Sequence, residues 1–166
     1  MNSTHTGLET GSATHEATIV PTYRTLLATV VVVCTVGMAA NLLAAIATDV
    51  VDDGPRTLQQ QLAGVLGFGA AGLAISLAGA WWFTRQPGRS RIGAIVYGAL
   101  SVPTLLLFFS GTPAMFGVTA AFLAGLTRGR QPETGAPRVF GTVGLVLAVV
   151  NVCVTILGVT IAWLTD

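Results

Sequence analysis

Charge is what this chain has least of. Only 9% of its 166 residues are Asp, Glu, Lys or Arg, against about 25% in ordinary soluble domains. Lysine is missing altogether, since all eight basic residues are arginine, and a G-x-x-x-x-G-K-[ST] phosphate loop is thereby excluded. The two histidines, His5 and His15, lie in the polar amino-terminal stretch at a spacing that does not fit a zinc motif. Ser3 and Ser12 lie close to them only within the same polar stretch, which offers no ordered frame for nucleophilic catalysis. The two cysteines, Cys34 and Cys153, fall within apolar runs and read as small buried residues rather than as a disulfide.

What is present is apolar: 52% of the residues are hydrophobic and 20 are glycine. Five stretches carry no Asp, Glu, Lys, Arg or His: Thr25 to Thr48, Leu62 to Phe83, Ile92 to Phe109, Thr112 to Leu126, and Val139 to Leu164. A helix rises about 1.5 Å per residue, so roughly 20 residues cross a hydrocarbon layer about 30 Å thick. The first, second and fifth stretches are long enough. Ile92 to Phe109 is marginal and Thr112 to Leu126 short, so the region 92–126 reads as one long helix, two short spans, or one span with a re-entrant segment. A single helix of that length would measure about 52 Å, more than tilt absorbs. Ser110-Gly111-Thr112-Pro113 has turn chemistry, because glycine tolerates positive φ and proline removes a donor and restricts the residue before it. The expected fold is therefore all-α: a polytopic transmembrane bundle of five spans, 25–48, 62–83, 92–109, 110–126 and 139–164, with a tight hairpin at Gly111. Pro103 should kink the third span.

The arginines give the orientation. Arg85, Arg89 and Arg91 fall in one short loop and Arg128, Arg130 and Arg138 in another, and short cytoplasmic loops collect basic residues. With the amino terminus inside, these six and Arg24 are cytoplasmic and only Arg56 is outside. The acidic loop with Asp49, Asp52 and Asp53 and the carboxyl terminus then lie outside, in a multi-pass protein of the cytoplasmic (inner) membrane. Those three aspartates lack the downstream Glu of a calcium-binding loop and read as a solvated turn. Residues 1–22 are polar and read as a disordered cytoplasmic tail, with 23–166 the membrane domain. A cleaved signal peptide is the rival reading, but its apolar run is too long and Glu9 and Glu16 outweigh Arg24.

Phe83-Thr84-Arg85-Gln86-Pro87 followed by Arg91-Ile92-Gly93 is echoed by Leu126-Thr127-Arg128-Gly129-Arg130-Gln131-Pro132 followed by Arg138-Val139-Phe140-Gly141. Either a hairpin was duplicated, giving 62–109 and 110–164, or two basic turns have converged on one composition. The second hairpin, with Gly111-Thr112-Pro113-Ala114-Met115-Phe116-Gly117 and Gly141-Thr142-Val143-Gly144-Leu145-Val146-Leu147, resembles small uncharacterised actinobacterial multi-spanning membrane proteins. That resemblance implies a membrane location and paired spans, and brings no site residue with it.

Small residues recur at four-residue steps: Ala63, Gly67 and Ala71; Gly72, Ser76 and Ala80; Gly117, Ala121 and Gly125; Gly144 and Ala148. Such steps stack on one helix face and let a neighbouring helix approach. The neighbour is either within this chain or in a partner, and the two faces of the second span are suited to different neighbours. Asn41, Asn151, Ser76 and Ser101 are the expected interhelical polar contacts. The absence of Asp, Glu, Lys, Arg and His from the spans argues against a proton-coupled carrier. Trp81, Trp82, Trp163 and Tyr23 stand where amphipathic rings meet headgroups, and Arg85, Arg89, Arg91, Arg128, Arg130 and Arg138 are the expected anchors to anionic inner-leaflet lipid. The sequence thus points to a non-enzymatic accessory or interaction subunit, with a small facilitator lined by uncharged polar groups as the alternative. The expected partners are the bilayer, other membrane proteins or a second copy; no cofactor, metal or nucleic acid is expected.

Overall fold

The computed structural model describes residues 22–48, 55–127 and 132–165. Among them every regular element is helical. The first span is α1 (Tyr23–Val30), a π-helical segment (Val31–Val36) and α2 (Gly37–Thr48) without a break. Thr22 opens it, extended at ψ 156, its hydroxyl accepting the Thr25 amide at 3.4 Å. Such a side chain occupies one of the amides that the first helical turn leaves bare. The widened π turn brings Cys34 and Thr35 to the buried side together.

Then come α3 (Pro55–Thr84), α4 (Pro87–Ser101), a 3₁₀ segment (Pro103–Ser110), α5 (Thr112–Leu123) and α6 (Ala136–Thr165). Three helices are long and apolar enough to cross a membrane, Tyr23–Ile46, Thr57–Thr84 and Ala136–Ile161, and there are up to four if α4 and the 3₁₀ segment are one bent span. The protein is thus a membrane-embedded helical bundle. The long helices overrun the expected spans: α3 starts at Pro55 and α6 at Ala136, where 62 and 139 were expected. Apolar composition marks the hydrocarbon layer, whereas the backbone ladder continues through Gln59, Gln60 and Gln61, which are good helix formers.

The region 92–126 forms a hairpin, but an unequal one. At Pro103 the chain bends by 72°, where the proline removes a backbone donor and crowds the preceding turn. The chain reverses at Gly111, φ 74, and α5 returns between the other helices. At 12 residues, α5 measures about 18 Å, well short of a bilayer's roughly 30 Å. Its end is a Schellman closure: the Leu126 amide donates to the Ala121 carbonyl at 3.0 Å and the Gly125 amide to that of Phe122 at 3.1 Å, with Gly125 at φ 83. The two copies of the suspected repeat differ in shape, since 62–109 pairs the 30-residue α3 with the bent α4, and 110–164 pairs the 12-residue α5 with the 30-residue α6.

Helix α5 is the axis of the bundle. Eleven of its residues, Thr112 to Ala121 and Leu123, are buried, with α1, α3, α4 and α6 packed around them. Leu27, Val30, Cys34, Met115, Val118 and Ala148 form one core cluster and Ala94, Tyr97, Phe116, Ala120 and Leu123 another. Phe83, Tyr97 and Phe116 meet edge to face, centroids 6.2 and 5.5 Å apart.

Candidate functional site

The Gly111 reversal sits at half the height of the three long helices. The Thr112 hydroxyl donates to the Phe68 carbonyl at 3.1 Å, next to the midpoint of α3. The Thr35 hydroxyl donates to the Ser110 carbonyl at 2.9 Å, and Thr35 is central in its span. Cys34 faces Asn151, at the middle of α6: the Asn151 amide and the Thr155 hydroxyl approach its Sγ at 3.6 and 3.7 Å. The Ser110 and Thr112 hydroxyls share a further contact of 2.7 Å. Each hydroxyl thus has a partner in the protein, as an apolar setting requires. Gly111 is doubly constrained, because its φ is positive and an added Cβ would lie 2.6 Å from Cys34 Cβ.

The four expected polar contacts do not converge. Asn151 is buried in the Cys34 cluster, whereas Ser101 donates to the Gly98 carbonyl of its own helix at 2.7 Å. Ser76 is fully buried and its hydroxyl has no partner among the described residues; its carbonyl receives the Tyr23 hydroxyl at 3.4 Å. Asn41 is half-buried in α2. Its neighbour Leu42 helps line a groove of about 490 Å³ with Met38, Gln60, Gln61, Val65 and Phe109. Tyr23, expected to face the headgroups, turns inward and stacks on Phe122 at 4.2 Å.

The small-residue faces divide. On α3, Gly72, Ser76 and Ala80 are buried, and a Cβ on Gly72 would meet the Thr112 side chain at 2.9 Å. The other face, Ala63, Gly67 and Ala71, is exposed and continues through Ala74 and Ala78; a Cβ on Gly67 would meet nothing within 4 Å. Gly117 and Gly144 join α5 to α6, and Ala121 and Ala148 are buried. Gly125 lies beyond the last turn of α5 and closes the helix instead of packing it. Gly79 and Gly98 are close approaches that the four-residue stripes do not include. Gly79 lies under the Tyr97 ring, whose hydroxyl donates to the Ile75 carbonyl at 2.6 Å. Gly98 abuts Phe140, a Cβ there lying 2.8 Å from that of Phe140. No local sequence signal marks them, because the aromatic partners, Tyr97 and Phe140, lie on other helices far along the chain.

At the arginine end, Arg85, Arg89 and Arg138 are exposed. Arg91 is paired through Nε with Glu133 at 2.8 Å, which ties α4 to the segment before α6. Arg128 and Arg130 lie outside the described residues, as do the tail 1–21 and the acidic loop. No protein-family model, curated protein or solved structure matches the chain.

Proposed function

We propose that the protein is a non-enzymatic accessory subunit of the cytoplasmic membrane that holds a partner protein's transmembrane helix against the outward face of α3. The observation that carries this reading is the division of that helix. One small-residue face is consumed by α5, and the other, from Ala63 through Gly67 and Ala71 to Ala78, is left without a neighbour among the described residues. In lipid, where tails are as apolar as leucine, close backbone approach is a main source of helix association. A face of small residues is suited to a helix of matching small side chains. The facilitator alternative draws less support: Ser101 and Asn151 are engaged separately, the four polar groups do not converge, and α5 fills the axis of the bundle.

In the proposed topology the amino terminus is cytoplasmic and the carboxyl terminus outside. The α4–α5 hairpin enters and leaves from the arginine side, so the basic turns share one face whether the hairpin is counted as two short spans or as a re-entrant element. Its half-height tip and 18 Å return helix favour the second.

A photoreactive amino acid at position 67, in cells, tests the docking face. The expected result is a discrete adduct to a second membrane protein that disappears with Ala71→Leu, while Ala71→Leu leaves the purified protein folded. Adducts to lipid alone, or only to another copy of this chain, remove the reading.

A further inference from the structure

Trp81 and Trp82 close α3, both more than half exposed. The Arg85 guanidinium lies over the Trp81 ring, Cζ 3.5 Å from its centroid, and that of Arg89, from the first turn of α4, lies over Trp82 at 5.5 Å. A guanidinium held near a ring by cation–π attraction keeps its N–H donors, and those that do not face the ring are free to donate. Among the described residues neither arginine has a carboxylate partner; the nearby acid, Glu133, is taken by Arg91. Two cations at the α3–α4 turn are therefore each held near an indole ring, without a carboxylate partner among the described residues.

We propose that these two arginine–tryptophan pairs form a binding site for the headgroup phosphate of an anionic phospholipid in the leaflet that the α3–α4 turn faces. The charge complementarity is direct: two guanidinium forks without a carboxylate partner among the described residues suit phosphate oxygens, which arginine recognises by paired N–H donors. The exposed indoles supply the other half of an amphipathic ligand's needs, since their apolar edges lie against the glycerol and upper chain region while the arginines hold the head. A free phosphate ion uses only the first half, so the site selects the lipid. General attraction of basic turns to an anionic surface needs only charge, about 1 kcal/mol per residue; this site needs the planar, stacked arginine. The inference rests on the membrane reading and is independent of the docking face on α3.

The difference makes the test. The full chain with Trp163→Phe, which leaves Trp81 and Trp82 as its only indoles, is reconstituted in phosphatidylcholine nanodiscs. Brominated phosphatidylglycerol or brominated phosphatidylcholine is then titrated in, and tryptophan quenching is read. The site predicts that phosphatidylglycerol quenches at lower mole fraction. It also predicts that Arg85→Lys with Arg89→Lys, which keeps both charges, lowers that preference about tenfold. Circular dichroism of the variant should be unchanged, the side chains being exposed. Equal quenching by the two lipids overturns the proposal. So does a lysine variant with the original preference, which would reduce the site to surface charge, or displacement of the lipid by millimolar inorganic phosphate.

Discussion

Gly117 and Gly144 bring the backbones of α5 and α6 into direct contact: a Cβ on Gly117 would overlap the Gly144 carbonyl, and one on Gly144 would lie 3.0 Å from the Gly117 Cα. A side chain can swing away from such an overlap, but a carbonyl inside a helix cannot. The contact holds the short α5, which has few turns of its own to anchor it, against the long and continuous α6.

Gly117→Ala should therefore destabilise the protein by about 1–3 kcal/mol, as overpacking does in a filled core. Gly67→Ala, on the open face of α3, should be neutral or stabilise by up to about 1 kcal/mol through helix propensity. Unfolding in mixed micelles with increasing SDS measures both. Equal tolerance at the two sites would refute the close approach.

Gly111→Ala carries two separate penalties, the left-handed conformation, at roughly 1–2 kcal/mol, and the overlap with Cys34 Cβ. Adding Cys34→Gly removes only the second. The double variant should recover part of the lost stability beyond what Cys34→Gly does alone, and a thermodynamic cycle in the same micelles gives the coupling. Strict additivity would show that the two residues do not touch.

Asn151→Leu should cost about 0.6–2 kcal/mol, the scale of an interhelical polar contact in lipid. Its effect should shrink when Cys34 is already alanine, because the Asn151 amide donates to the Cys34 sulfur. An undiminished effect would mean that Asn151 acts through some other partner.

The proposed topology is checked by labelling single cysteines, in a background free of native cysteines, with a charged, impermeant maleimide. Thr57→Cys should react from outside intact cells, and Gly88→Cys only after permeabilisation. Leu106, 84% exposed on the 3₁₀ segment, discriminates within the hairpin. If the tip stops at half depth, Leu106→Cys faces lipid and reacts from neither side; if the hairpin crosses, it reacts from outside.

Much of this was legible in the residues. Proline at 103 and glycine at 111 announce a bend and a reversal because their backbone restrictions are local, and both stand where expected. The two faces of α3 were also readable as distinct stripes. Gly125 was not readable as a terminator: four-residue spacing from Gly117 and Ala121 made it look like one more packing position. Only its φ of 83 and the amide bonds around it assign it to the closure of α5. Tyr23 misled for a related reason, since a tyrosine beside an arginine at a span's end suits a headgroup, and Phe122 offers it a better surface.

The sequence by itself determined that the chain is helical and made for a membrane, because charge confined to narrow turns leaves apolar runs that only helices can carry through lipid. It also set where the chain turns. The tertiary structure alone decided that α5 is the axis, and which face of α3 remains open. Hydrophobicity cannot separate those outcomes: lipid tails and a neighbouring helix are equally apolar surroundings, so the buried α5 and the exposed sides of α3 and α6 are written in the same residues.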